Sequence, residues 1–599
     1  MPKNYFSSQW DKQGSVFMVS KFKAPSSIQF HKIYCSMALA LIGILVYGNH
    51  LQNTFQFDSV AYIKNNLSLK NPESILTLQF WISDFFSRGL LSISIALNAY
   101  LDELRPFGYH ILNLALHIVN TILIFYIFNK ALLHFKNPIG KNNAAISFFG
   151  ATIFLVHPIQ TESVIYIISR SEVLASTFYL FGFFLFQIYL DIHKNRSLLK
   201  KLILTLTILV LTVVGFSVKQ TLATFPLIVF LYYISVSPLD SPINKFLLNW
   251  KWPILTAVLI FLSLLLYKLL SDETFLIGPS NPHEMVGRAK YMLSQPAVVI
   301  FYYFQKILFP INLIVDPDIE VVTHFFSFNF FASMIVIAFI AYYLWKQKAW
   351  RFYIFFLSWF FIILSPSSSI VTLHDLAAEH RVYLALPGVI LILSYGLFEI
   401  LKNQKLSILT LCVLTLFLGI LNIERNKVWK NELSLWQDTY KKSPGKIRPL
   451  INLARAHSLE ENNEEAARLY EEALSKGPDI FVIQYNLGEL YLKEGRVEEA
   501  ILRFQSALKL KPEIPETYAK LGEIYLARTN WKLADIYFKK CIEIDSRFSQ
   551  VFKNLGVLHF YHLKNLKESL LYFSRSLALD PNQAEAGEIR RLLKEYSTP

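Results

Sequence analysis

Two apolar runs, AAISFFGATIFLV and TFYLFGFFLFQIYL, flank the stretch HPIQTESVIYIISRSEVLAS at residues 157–176. Both flanks have the composition of membrane-buried helix. An ionisable side chain at that depth is costly, so it is paired or lines a polar cavity. His157, Glu162 and Arg170 stand in this stretch. Further polar groups interrupt other apolar regions: Asp58 in FQFDSVAYIKNN, Lys219 and Gln220 in VKQTLATFP, and Glu379, His380 and Arg381 in EHRVYLALPG. Carboxylates can take a proton from a reacting hydroxyl, and ammonium or guanidinium groups can hold an anion. Asp58, Glu162, His157 and His380 would bind a metal only by converging in space. No sequential ligand spacing supports that, so no metal is expected.

The elements that must position these residues are membrane helices. The chain has 599 residues, 53% hydrophobic and 17% charged, and a mean hydropathy of +0.37. An ordinary soluble protein is not that apolar. The 50 Phe and 31 Tyr suit a lipid-facing surface with interfacial aromatics. The net charge of +14 fits basic cytoplasmic loops and anionic headgroups, and nucleic acid is not an expected partner. Cys35, Cys412 and Cys541 are scattered and suggest neither a disulfide framework nor a metal site. The first apolar run, IYCSMALALIGILVYG, reads as a retained anchor after a basic tail at 1–32.

Basic clusters at 3–32, 136–141, 193–201, 245–251, 346–351 and 402–405 orient the spans, because cytoplasmic loops carry the excess of Lys and Arg. About eleven spans follow, near 33–49, 107–130, 144–158, 171–192, 201–217, 221–236, 252–271, 326–345, 352–366, 384–401 and 405–422. The apolar segment 290–310 is expected to be interfacial or re-entrant, since a span there would reverse the basic loop after it. The amino terminus is then cytoplasmic, and Asp58, 157–170, Lys219–Gln220 and 379–381 all fall on the other side. A polar cavity facing that side accounts for the clustering. In 105–128, His110, Asn113, His117 and Asn120 are spaced three, four and three apart, which places them on one helical face. His110 and Asn113 would line the cavity. For Asn113, His117 and Asn120, interhelical hydrogen bonding is the stronger reading.

Composition turns polar near Arg425, and 425–446 reads as a linker with a partial leading repeat. From 447 the chain repeats every 34 residues. Leu453-Ala454, Leu487-Gly488, Leu521-Gly522 and Leu555-Gly556 are in register, as are Ala466, Ala500 and Ala534, and Tyr470, Phe504 and Phe538. This pattern resembles the tetratricopeptide repeat, a helix-turn-helix unit. Four units are expected, at 447–480, 481–514, 515–548 and 549–582, with a capping helix and tail over 583–599. The fold class is therefore all-α, a polytopic membrane bundle over 33–424 followed by an α-solenoid whose concave groove binds protein.

The stretches RPFGYHILNLALH, HPIQTESVIYIISRSEVLAS, VKQTLATFP and EHRVYLALPG, followed by these repeats, resemble the transmembrane and tetratricopeptide-repeat O-mannosyltransferases and their bacterial relatives. The resemblance covers nearly the whole chain after the first thirty residues. It implies a C-type glycosyltransferase fold and transfer of mannose or another hexose from a polyprenyl-phosphate donor to a Ser or Thr hydroxyl on the non-cytoplasmic side. Asp58 is the implied catalytic base. Arg381, Lys219, Arg170, His157, Glu162, His380 and Gln220 are the implied donor phosphate and sugar ligands. Where relatives often carry paired acids and Lys-Glu, this chain has Asp58-Ser59 and Lys219-Gln220. No cofactor beyond the lipid-linked donor is implied. The expected setting is a bacterial inner membrane with the loops facing the periplasm, or the lumen of the endoplasmic reticulum in a eukaryote. A membrane-anchored repeat scaffold without catalysis is the alternative. A transporter is disfavoured, because the spans show no internal repeat.

Overall fold

The computed structural model describes residues 27–57, 59–64, 89–102, 105–136, 142–192, 198–242, 286–369 and 372–596, and among them it contains helices and no strands. Six described helices are long and apolar enough to cross a membrane, or seven if a bent pair counts as one. The chain is therefore a membrane protein with a second helical half that contributes none of these spans among its described residues. Ten of the expected spans coincide with helices, among them Ser27–Tyr47, Pro106–His134, Arg170–Asp191 and Gln404–Val428. The expected span at 252–271 lies outside the described residues. The connection expected to be the first outer loop is not all loop, since it contains the helix Leu90–Asp102.

Local chemistry sets the breaks. Helix Asn143–Val156 stops where Pro158 removes a backbone donor. The His157 imidazole accepts the Ile159 N–H and starts a short 3-10 turn, and the chain bends by 50° into Thr161–Ile165. Pro106 opens the long helix Pro106–His134 at a position that needs no N–H.

Polar residues on that helix tie the bundle together. Asn113 Nδ2 donates to the Val164 carbonyl at 3.2 Å, and Asn120 Nδ2 donates to the Val173 carbonyl at 2.9 Å. The His117 ring meets the Tyr383 hydroxyl at 2.8 Å and the Leu155 carbonyl at 3.1 Å. These are the interhelical bonds expected of Asn113, His117 and Asn120. The segment 290–310 is covered by helix Arg288–Ala297, a wide turn Val298–Phe304 and helix Gln305–Leu308. It lies against 367–378: Tyr291 donates to Ser367 O, Gln295 to Leu376 O and Tyr303 to Ala378 O.

The repeat half is a run of antiparallel helix pairs: Ile447–Leu459 with Asn463–Lys476, Phe481–Lys493 with Val497–Leu510, Pro515–Ala527 with Trp531–Ile544, and Ser549–Val557 with Leu566–Leu579. Small residues let the two helices of a pair approach. A Cβ on Gly522 would stand 2.5 Å from the Phe538 ring, and one on Gly556 would stand 2.5 Å from Phe573.

The two halves are bolted together by charge. Asp316, 1% exposed, takes both Lys446 and Arg448, and Arg448 also reaches Asp375 at 2.8 Å. Lys442 donates to the Leu313 carbonyl and pairs with Asp438. The leading helix Glu432–Lys442 also holds the chain at Phe57. The Phe57 N–H donates to Glu432 at 3.0 Å, and the Phe57 ring packs on Trp436 and Tyr166.

Candidate functional site

Short turns bring two loop segments together at one end of the bundle. The 3-10 turn Glu379–Val382 packs on Pro158–Gln160 and Thr161–Ile165. Glu162 Oε1 meets His380 Nδ1 at 2.6 Å, and Glu162 Oε2 accepts the His380 backbone N–H at 3.1 Å. The Glu162 side chain is 5% exposed and that of His380 is 26% exposed. A buried carboxylate thus orients an imidazole with an accessible edge.

Glu379 turns the other way. It accepts the Ile314 N–H at 2.6 Å and the Tyr302 hydroxyl at 3.2 Å. Burial pushes its carboxyl up, to about 7; the Arg425 charge opposes that shift and the Glu162 charge adds to it. Arg381 is half-buried, with long bonds of 3.4 Å to the Tyr291 hydroxyl and the Leu376 carbonyl. Lys219 pairs with Glu172, so the carboxylate beside this lysine comes from residue 172 and not from its chain neighbour. Gln220 is exposed at the start of the turn Gln220–Thr224.

Other expected ligands are built into the frame. Arg170 is fully buried. Its Nε donates to Asn113 Oδ1 at 2.8 Å, Nη1 to Ser94 O at 2.9 Å and Nη2 to Tyr109 O at 3.1 Å. Glu162 pairs with His380 and not with Arg170, eight residues on. His157 is 2% exposed, with Nε2 on the Ile307 carbonyl at 3.0 Å and Nδ1 on Ile159 N–H. Both of its nitrogens are therefore committed to backbone. His110 bonds the Asn53 carbonyl at 3.1 Å and sets its ring edge-on to His50. Asn113 is clasped between Arg170 and Val164. Both are enclosed rather than facing an open cavity. The proposed base, Asp58, lies outside the described residues. Its neighbour Phe57 sits against Tyr166, four residues after Glu162.

The structure adds residues that sequence reasoning missed. Asn422, Arg425 and Trp429 share one face at the end of helix Gln404–Val428. Asn422 Nδ2 reaches the His157 carbonyl at 3.4 Å, and Trp429 stacks on Tyr166. Arg425, 7% exposed, pairs with Asp438 through Nη1 at 2.9 Å. Among the described residues, Arg425 Nε and Nη2, both amide atoms of Gln160 and Thr161 Oγ1 are buried without a hydrogen-bond partner. Buried polar atoms are satisfied in native proteins, by water or ligand where protein offers nothing. This set suits a hydroxylated or anionic ligand. The three-four spacing of Asn422, Arg425 and Trp429 is the one signal for it in the sequence.

Comparison with known proteins follows the two halves. Family models described as a TPR repeat and as a tetratricopeptide repeat match residues 488–528, 450–479 and 515–548. The chain is 32% identical over 165 residues to protein O-mannosyl-transferase TMTC1 of Mus musculus, covering 26% of this chain and 17% of that one. It is 24% identical over 460 residues to protein O-mannosyl-transferase F38B6.6 of Caenorhabditis elegans, covering 74% of this chain and 62% of that one. It is 33% identical over 155 residues to TMTC3 of Homo sapiens, covering 24% and 16%. The chain thus spans less than two thirds of the length of these relatives. Among solved structures, MamA of Desulfovibrio magneticus RS-1 is 17% identical with a TM-score of 0.24, covering 25% of this chain and 85% of that one. The resemblance to the transmembrane and tetratricopeptide-repeat O-mannosyltransferases, read first from motifs, recurs in these matches.

Proposed function

We propose that the chain is a membrane glycosyltransferase that moves mannose or a related hexose from a polyprenyl-phosphate donor to a protein hydroxyl. The similarity to proteins named O-mannosyl-transferases supports this reading. The single structural observation that carries it is the meeting of Glu162 and His380, from two segments 218 residues apart, beside Arg381.

In this reaction the acceptor oxygen forms a bond to the anomeric carbon while the bond from that carbon to the donor phosphate breaks. The acceptor proton passes to a carboxylate, for which Asp58 is the proposed base. The lipid phosphate departs as an anion and is stabilised by fixed cations. Arg381 serves this role, and Arg425 offers two further donors. Attack from the face opposite the leaving phosphate inverts the anomeric centre. The repeats are tied to the membrane half through Asp316, and in this reading a protein held in the repeat groove is presented on the side of Glu162 and His380.

The test is transfer of radiolabelled sugar from polyprenyl-phosphate donors in purified membranes. Wild type is compared with Asp58→Asn and Arg381→Ala. Transfer to protein that both substitutions abolish is the expected result. Absence of transfer from every donor, with repeats that still capture protein partners, favours the scaffold reading instead.

A further inference from the structure

A cavity of about 420 Å³ opens at the end of the bundle opposite the candidate site. One helix reports the distance. His110 stands near Glu162's end of Pro106–His134 and His134 lines the cavity. Twenty-four residues of helix span about 36 Å, more than the ~30 Å of a bilayer's hydrocarbon core. The cavity therefore lies at the headgroup level of the other membrane face.

Lys136, Lys348 and Arg351 make its wall basic, His134 stands beside them, and no Asp or Glu is among its described lining residues. Arg351 is a fixed cation. Its Nη1 donates to the Ser237 carbonyl at 2.7 Å and its Nη2 to the Ile234 carbonyl, closing the end of helix Phe225–Val236. His134 is held by the Tyr232 hydroxyl and Asp191, both at 2.8 Å. Lys136 and Lys348 are exposed, so their ammonium groups can close on a ligand. Among the described residues, Asp191 takes Lys130 and His134, Glu399 accepts from Tyr353, and Asp240 is exposed beside Leu239. Trp350 and Tyr395 supply the aromatic surface usual at a lipid interface.

We propose that this cavity binds the phosphate-bearing headgroup of an anionic membrane lipid. Basic pockets between membrane helices recognise such headgroups through localised positive charge. Soluble phosphate shares the chemistry, but the depth of the pocket at the ends of spans and the exposed apolar side chain of Leu239 in its wall favour a lipid.

The experiment uses the full chain, purified in detergent and probed by native mass spectrometry with phosphatidylglycerol, phosphatidylcholine and inorganic phosphate. Wild type is expected to retain phosphatidylglycerol over phosphatidylcholine by roughly tenfold or more. The double variant Lys136→Ala/Lys348→Ala should lose that preference. Lys200→Ala/Lys201→Ala removes two basic residues at the same membrane face, near Tyr189, and should keep it. Equal retention of both lipids by wild type overturns the proposal, as does an equal loss in the two double variants. Binding of inorganic phosphate with no lipid retained also overturns it.

Discussion

Glu162 holds His380 at two points, accepting from the ring at 2.6 Å and from the backbone at 3.1 Å, so one carboxylate fixes both the imidazole and the turn that carries it. If this pair shapes the reacting cavity, His380→Ala should lower sugar transfer by about 100-fold or more, with the protein still folded. Glu162→Gln keeps the shape and removes the charge, so it should lower the rate less than His380→Ala. Initial rates with saturating donor, alongside thermal melts, separate the two. Unchanged rates in both variants would remove the pair from the mechanism.

Arg170 should behave as frame. Arg170→Ala strands the Asn113 oxygen and the carbonyls of Ser94 and Tyr109 in a buried place. Each orphaned acceptor costs about 1–3 kcal/mol. The expected outcome is a strongly lowered melting temperature in detergent. Any transfer activity that survives should keep the wild-type KM for donor. A folded variant with a raised donor KM would instead make Arg170 a ligand.

Glu379 gives a pH dependence. Its carboxyl is raised by burial from 4.5 to about 7, so between those values the unfolded chain releases a proton that the folded chain keeps. Stability therefore falls as pH rises from about 4.5 to 7 and levels off above that. Glu379→Gln should flatten this slope, as measured by melting temperature across that range. A slope that persists in the variant would assign it to other groups.

Asp316 joins the two halves. Asp316→Asn leaves Lys446 and Arg448 without their shared carboxylate, and breaking a buried pair costs about 3–5 kcal/mol. Hydrogen exchange should rise at 312–318 and 443–448 while the helices of the later repeats stay protected. Transfer to a protein acceptor should fall more than transfer to a short peptide. Equal losses would mean that docking positions the loops and not the acceptor.

Arg425 faces the candidate site with two unpartnered donors. Arg425→Gln should raise the donor KM by roughly tenfold or more, the scale of one or more charge-assisted hydrogen bonds. Asp438→Asn, which breaks the ion pair but spares the guanidinium, should leave the donor KM near wild type. A raised KM in both variants would point to the ion pair itself.

Periodic features were legible along the chain. Runs of apolar residues near bilayer length placed ten helices, and a 34-residue period placed the repeats, because both signals are local and repeat along the chain. The sequence also picked out the segments that meet, since polar residues in apolar surroundings must go somewhere specific. Tertiary structure alone decided which of them are frame and which are open. His157 and Arg170 look like ligands from sequence, yet each spends its donors on partners from 57 to 150 residues away. Lys219 found its acid at Glu172, on a neighbouring helix. Arg425 carried little signal, because its role depends on Asn422 and Trp429 landing on His157 and Tyr166. A side chain's partner is set by which helices pack together, and no local pattern records that.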